Sequence, residues 1–260
     1  AGADFAMGRD KDGACQAISL SSIHPGFSKE KVHINDDLLP TIHETDQRLG
    51  QEPYDMPYTN GHVHRLVGAE KTLTVGIPHV CGYNPLKADA LSNALVELRK
   101  QTVELCDRMN STGRYGRLSL AHMSGIPGIR ESRRIDCDYM LTLSDLEEGR
   151  RSADGIFTVT QNIDIHKCTD DEPCISCRHV LPYHVPFRSL IPRKLDNVLV
   201  AGRCIGGSHE ALASYRIIAD CFAMGEAAAI AVAESINKGI SLRQTSKHVV
   251  SEMKRRGYEP

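Results

Sequence analysis

The sequence predicts a mixed α/β (α+β) fold, on three observations. Two β-branched runs, His62-Val-His-Arg-Leu-Val67 and Thr72-Leu-Thr-Val-Gly-Ile77, alternate on either side of Gly68-Ala-Glu-Lys71. A period of two around a short turn is the pattern of a hairpin. Leu91, Ala94, Leu95, Leu98, Thr102, Leu105, Cys106 and Met109 recur at helical spacing, which predicts an amphipathic helix from Pro85 to about Met109. Finally, the apolar run Val198–Ala201 enters a Gly-rich turn, and a long stretch of small residues follows.

The remaining elements follow in chain order. Cys15–Ile23 alternates partly and ends at Pro25-Gly26, so it reads as a strand. Residues 28–60 are polar and proline-rich, with a short helix predicted around Ser28–Asn35. Asn84 before Pro85 predicts the start of the long helix, because an Asn cap and a first-turn Pro both suit a helix N-terminus. Arg117–Ala121 predicts a strand leading into a turn over Gly125–Arg134. Thr142 or Ser144 caps a short helix from Leu143, and Phe157–Ile163 predicts a strand. Residues 167–179 form a polar loop. Val198–Ala201, apolar on both faces, predicts a central strand. Residues from about Ala211 to Lys238, apolar nearly all round, predict a buried helix ended by Gly239. Leu242–Arg256 closes the chain as a polar helix.

Composition narrows the function. The chain has 260 residues, 41% of them hydrophobic, and a net charge of −2. That is enough apolar material for one large or two small cores. The balanced charge argues against a nucleic-acid or acidic-lipid partner. Trp is absent and aromatics are few, which disfavours base-stacking platforms. No apolar run reaches the roughly 20 residues of a membrane span. The nine cysteines form no regular disulfide framework, and a reducing cytoplasmic setting is expected.

The strand, tight turn and helix start at Val198–Arg216 have the parts of a cofactor cradle. Glycines at 202, 206 and 207 leave room for close backbone approach, and N–H groups at such a turn offer donors to an anionic group. An ordinary strand–turn–helix corner is the alternative.

The wording of this stretch goes further. Asp196-Asn-Val-Leu-Val-Ala-Gly-Arg-Cys-Ile-Gly-Gly-Ser-His-Glu-Ala211, continuing to Met224-Gly-Glu-Ala-Ala-Ala229, resembles the C-terminal end of the FAD-dependent oxidoreductase family, within the glutathione-reductase-like flavoprotein superfamily. Gly128-Ile-Arg-Glu-Ser-Arg-Arg-Ile135, Asp164-Ile-His166 and Val185-Pro-Phe-Arg-Ser-Leu-Ile-Pro192 match it in the same order. The resemblance implies the C-terminal part of a Rossmann-like FAD/NAD(P)-binding flavoprotein with a mixed α+β substrate or cap domain. It implies four segments: 1–13 as the end of an FAD-binding half, 14–190 as the substrate domain, 191–240 completing the FAD-binding domain, and 241–260 as a terminal helix. The Gly-x-Gly-x-x-Gly turn that holds the FAD pyrophosphate in such proteins is missing from these residues. A polypeptide carrying that half is therefore the expected partner, beside a small-molecule substrate.

The resemblance also assigns residues. FAD contacts are expected from Ala201, Gly202, Arg203, Cys204 and Ile205, and from Ala211, Ala213, Ser214 and Arg216. Arg130 and Arg133 lie in the motif near the flavin, where a guanidinium stabilises developing negative charge. Arg134, His184 and Arg188 are candidate substrate contacts. His166, at a strand end, is a candidate acid or base. Outside the resemblance, Cys168, Cys174 and Cys177 have the close spacing of metal or redox ligands, one short of a closed site. Three readings stand: a hydride-transferring flavoenzyme part, a non-catalytic subunit without FAD, or a Cys-ligated metal or iron–sulfur module.

Overall fold

The computed structural model describes residues 1–28, 37–56, 59 and 62–259. The chain divides into two compact units. Residues 16–129 and 167–175 form the first, the hairpin unit; residues 1–15, 130–166 and 176–260 form the second, the cradle unit. Residues 130–166 and 176–190 bury their apolar residues in one core with the C-terminal helices.

β1 is Phe5–Met7 and belongs to the cradle unit. In the hairpin unit, the expected single strand at 15–23 is two: β2, Ile18–Ser19, and β3, Ser22–Pro25. The helix expected around Ser28–Asn35 falls mainly outside the described residues. A helix not expected, α1, spans Leu39–Leu49 and ends on Gly50 in the left-handed conformation. The hairpin is present as β4, His62–Leu66, and β5, Ala69–Gly76, with Val63 opposite Val75. β6 is His79–Val80 and pairs with β2.

α2 runs from Ala88 to Ser111 and buries Ala94, Leu98, Thr102, Leu105, Cys106 and Met109. This is the face its periodicity predicts. It starts after the expected Pro85 because Asn84 spends its side chain on a local turn, accepting from the Leu86 N–H at 2.9 Å. β7 is only His122–Met123 and closes an antiparallel sheet of order β4-β5-β3-β7. The expected strand at Arg117–Ala121 lies just before it without a ladder of its own. Leu38, Ile42, Leu73, Val75, Ile77, Leu105 and Met109 fill the core between sheet and helices. Asp46, fully buried on α1, is held by Arg108 of α2 at 2.7 Å and by the Tyr54 N–H at 2.9 Å.

In the cradle unit β1 pairs antiparallel with β8, Arg133–Ile135. α3, Leu143–Glu147, carries a capping box in which Thr142 and Asp145 satisfy each other's backbone N–H groups. β9, Gly155–Val159, and β10, Ile163–His166, replace the one strand expected at 157–163. β10 pairs with β11, Ile175–Arg178. β9 pairs antiparallel with β12, Tyr183–Pro186.

The long C-terminal helix is broken. α4 covers His209–Tyr215 and α5 covers Ile218–Lys238, with a bend at Arg216–Ile217. α6, Ser246–Arg255, packs on α5 and β9 after a short 3-10 turn at Leu242–Thr245. Val198–Ala201 joins no ladder among the described residues, although Ala201 is extended. A strand needs a neighbouring edge, and here the Val200 N–H is taken singly by the Leu190 carbonyl at 2.9 Å. No helix of the described residues is long and apolar enough to cross a membrane.

Candidate functional site

The turn after Ala201 is built in two parts that use glycine differently. Gly202 takes φ +79°, open to glycine and strained for other residues, and its N–H points at the Met224 sulfur. A short 3-10 turn over Gly202–Cys204 follows, with Ala201, Gly202 and Cys204 half-buried and Arg203 exposed. Gly206 and Gly207 are instead sealed by protein. A Cβ on Gly206 would strike the Tyr139 carbonyl, and one on Gly207 would meet the Tyr215 ring at 2.8 Å. These two glycines make room for the fold itself, whereas a Cβ on Gly202 would meet only the Cys221 side chain, at 3.6 Å.

A buried charged network fixes the second half of the turn. Arg134 is 1% exposed. Its Nε donates to the Gly207 carbonyl at 2.9 Å, one Nη to the Gly8 carbonyl at 2.7 Å, and the other Nη to Glu131. Glu131, itself fully buried in its side chain, also accepts from His209 Nδ1 at 2.9 Å. His209 is the first residue of α4. Parallel bridging by Leu141 completes the clamp: it donates to Gly206 and accepts from Ser208. Arg134 is thus buried, with three of its donors engaged inside the protein.

The second cluster lies at the other end of α4. Asp164 and His166, two apart on β10, share a face. His166 Nε2 lies 3.4 Å from Asp164 Oδ2. Arg216, just past the end of α4, reaches the same oxygen at 3.3 Å and the Asp164 carbonyl at 2.8 Å. Arg130 lies close enough to act electrostatically on both Asp164 and His166. Burial lowers the His166 pKa, with Arg130 and Arg216 adding to the effect while Asp164 opposes it. For Asp164, burial pushes upward, but His166 and the two arginines outweigh it and the pKa falls. Oδ1 of Asp164 is buried without a hydrogen-bond partner. A neutral imidazole beside a carboxylate and two guanidiniums can take up one proton and hold an anionic or electron-rich group.

Other expected residues are placed elsewhere. Arg133 is exposed and stacks over Phe5 at 5.0 Å. His184 is buried on β12, where Nδ1 receives the Ser152 N–H at 3.0 Å. Arg188 pairs with Asp154 at 2.9 Å and covers the Tyr139 ring. Ile205, Ala211, Ala213 and Ser214 are fully buried, so they shape the cradle from behind. Ser214 spends its hydroxyl on the Gln161 carbonyl at 2.6 Å and accepts from Tyr183 at 3.0 Å.

The three cysteines are placed apart in kind. Among the described residues no group of three His, Cys, Asp or Glu is placed to hold a metal. Cys168 is buried with its N–H on Glu172, Cys174 faces the Thr59 hydroxyl, and Cys177 is exposed.

Sequence reading missed Asp164, Glu131 and His209. The Asp164-Ile-His166 spacing on a strand was a usable signal; the partners of Glu131 were not visible without the fold. Also missed was the second helix start. α5 has no side-chain cap, and its first turn, Ile218–Asp220, borders the same bend as Arg216. Residues here suit a flavin: a half-buried αL glycine turn, an exposed Arg203, and an uncapped helix N-terminus at the bend.

A family model described as FAD dependent oxidoreductase matches residues 1–256. The chain belongs to that family. FAD is accordingly its cofactor, and oxidation–reduction its general chemistry. No curated protein and no solved structure matches the chain.

Proposed function

We propose that this chain supplies the proton- and charge-handling wall of a flavin site in an oxidoreductase that moves hydride between a small organic substrate and flavin N5. The single observation that carries the reading is the Asp164–His166–Arg216 cluster beside Arg130, at the bend after the cradle. FAD, when bound, supplies the two-electron chemistry. Ala201, Gly202, Arg203 and Cys204 would hold it through the turn, and α5 through its first-turn N–H groups. His166 takes the substrate proton on the ring nitrogen that does not face Asp164, and Asp164 holds the resulting imidazolium through Nε2. Arg130 and Arg216 bind the negative charge that appears as electrons move.

A further part of the proposal is a second polypeptide segment carrying the Gly-x-Gly-x-x-Gly half, on this chain or on a partner. α5 supports it. Ile218, Phe222, Val232 and Ile236 are 74%, 73%, 43% and 75% exposed. With exposed Gly225 and Ala229 between them they form a continuous apolar helix face. Apolar faces of this extent mark an interface. Small residues in its middle allow close packing against a sheet.

The test is a visible absorption spectrum of natively purified protein, with the chains resolved by intact mass. Flavin bands that co-purify with a glycine-turn segment, and bleach on substrate addition, support the reading. A colourless preparation that gains no flavin bands on mixing with FAD and such a segment overturns it.

A further inference from the structure

The hairpin unit contains a cavity of about 600 Å³ that takes no part in the flavin reading. Its wall carries Asp55, Glu97, Glu104, Asp170 and Glu172, with Lys167 the one cation among the described wall residues. Asp170 already neutralises Lys167 at 3.2 Å. Glu97 and Glu104 lie seven residues apart on α2, hence on one face and about 10 Å apart along the axis. Gln101 stands between them, with its Oε1 engaged by the His79 N–H at 3.0 Å. An acidic row alone does not make a site. Tyr54 provides the independent observation: it forms part of the wall, is only 4% exposed, and its hydroxyl has no hydrogen-bond partner. Burying a hydroxyl unpaired is costly, so such a group calls for a ligand atom. Glu104, Arg108 and Asp55 all act on the same phenol, with Arg108 over its ring at 5.6 Å and 3.4 Å from Glu104, so Glu104 and Asp55 provide the acidic side of its surroundings.

We propose that this cavity binds a linear aliphatic polyamine. A chain of ammonium groups separated by short methylene runs matches acids spaced two helical turns apart. The cavity volume exceeds what a single inorganic ion needs, and no metal-holding group of His, Cys, Asp or Glu is present among the described residues. The phenol oxygen accepts from one ammonium, and the methylenes lie along Val80 and Met56.

Isothermal titration of the whole 260-residue chain with spermidine at low ionic strength tests this without reference to flavin. The expected result is saturable one-to-one binding. It should weaken at least tenfold in a Glu97→Gln/Glu104→Gln double variant and several-fold in Tyr54→Phe. Glu97 is 42% exposed in its side chain and pairs with exposed Lys100, so Glu97→Gln alone retains the fold if the double variant does not. The proposal is overturned by an absence of saturable heat, by binding that magnesium displaces fully at equal ionic strength, or by unchanged affinity in the Glu97→Gln and Tyr54→Phe variants.

Discussion

Two clusters of the cradle unit contain the same chemical types. Arg134, Glu131 and His209 stand at the start of α4; Arg216, Asp164 and His166 stand at its end. Each is an arginine, a carboxylate and a histidine. The first is sealed. Arg134 has its donors on Glu131 and two carbonyls, and the Glu131 side chain is wholly buried. The second is incomplete: the Asp164 side chain is 28% exposed and its Oδ1 has no partner. Composition cannot separate the two. Completeness of partnering can, because a saturated network holds a turn in place whereas an open one can act on something else.

That contrast predicts opposite responses to mutation. Glu131→Ala leaves Arg134 and His209 buried without their carboxylate. The expected cost is about 3–5 kcal/mol, read as a lower midpoint in urea unfolding. A loss below about 1 kcal/mol would show that the first network is not a structural clamp. Asp164→Asn should do the reverse: unfolding shifts by less than about 1 kcal/mol, since Arg216 keeps the Asp164 carbonyl, while turnover falls about 10²-fold. The sign of the pH effect also follows. Asp164 raises the His166 pKa against burial and the arginines. Removing it lowers that pKa further, so the acid limb of the rate profile moves to lower pH. A profile that does not move would separate His166 from the reaction.

The turn between the clusters gives a smaller effect. Gly207→Ala places a Cβ against the Tyr215 ring, an overpacking costing about 1–3 kcal/mol. Thermal unfolding checks it, and Tyr215→Leu in the same background should recover part of the loss if the ring is the obstacle.

How much of this was legible in the sequence depends on the range of the interaction. α2 and the β4–β5 hairpin were visible because their signals are local, repeating every three to four or every two residues. The α3 cap was narrowed to Thr142 or Ser144 for the same reason, and the structure assigns it to Thr142, three residues before Asp145. The break between α4 and α5 was not, since Arg216 and Ile217 carry no Gly or Pro; the bend is stabilised from a distance by Arg216 reaching Asp164. Val198–Ala201 reads as a central strand, yet its hydrogen bonds depend on neighbours that a local pattern does not specify. Within the candidate site, the family motifs named Arg130, His166 and Arg216 as candidates. They could not tell Arg134 from Arg130, four residues away, because the difference lies in what surrounds each: Gly8 and Gly207 for one, Asp164 and His166 for the other.

The same test of completeness applies to Asp220 in the first turn of α5. One of its oxygens is buried without a partner, and burial raises its pKa from 3.8 to about 6. The folded state therefore binds more protons than the unfolded chain between these values. Stability contributed by the protonated carboxyl is present below pH 3.8 and is lost as pH rises through about 6. Near neutral pH the buried charge is a burden, and Asp220→Asn should relieve it. The group is partly exposed, so solvent screening limits the gain to about 0.5–1 kcal/mol, or about 1–4 °C in the unfolding midpoint. The gain should be present at pH 7.5 and absent at pH 4. If FAD or a docked segment supplies a donor to Asp220, the sign reverses in the loaded protein and the Asn variant becomes the less stable one. Comparing the two midpoints in colourless and flavin-loaded samples then reports whether Asp220, like Asp164, is incomplete because its partner is a ligand.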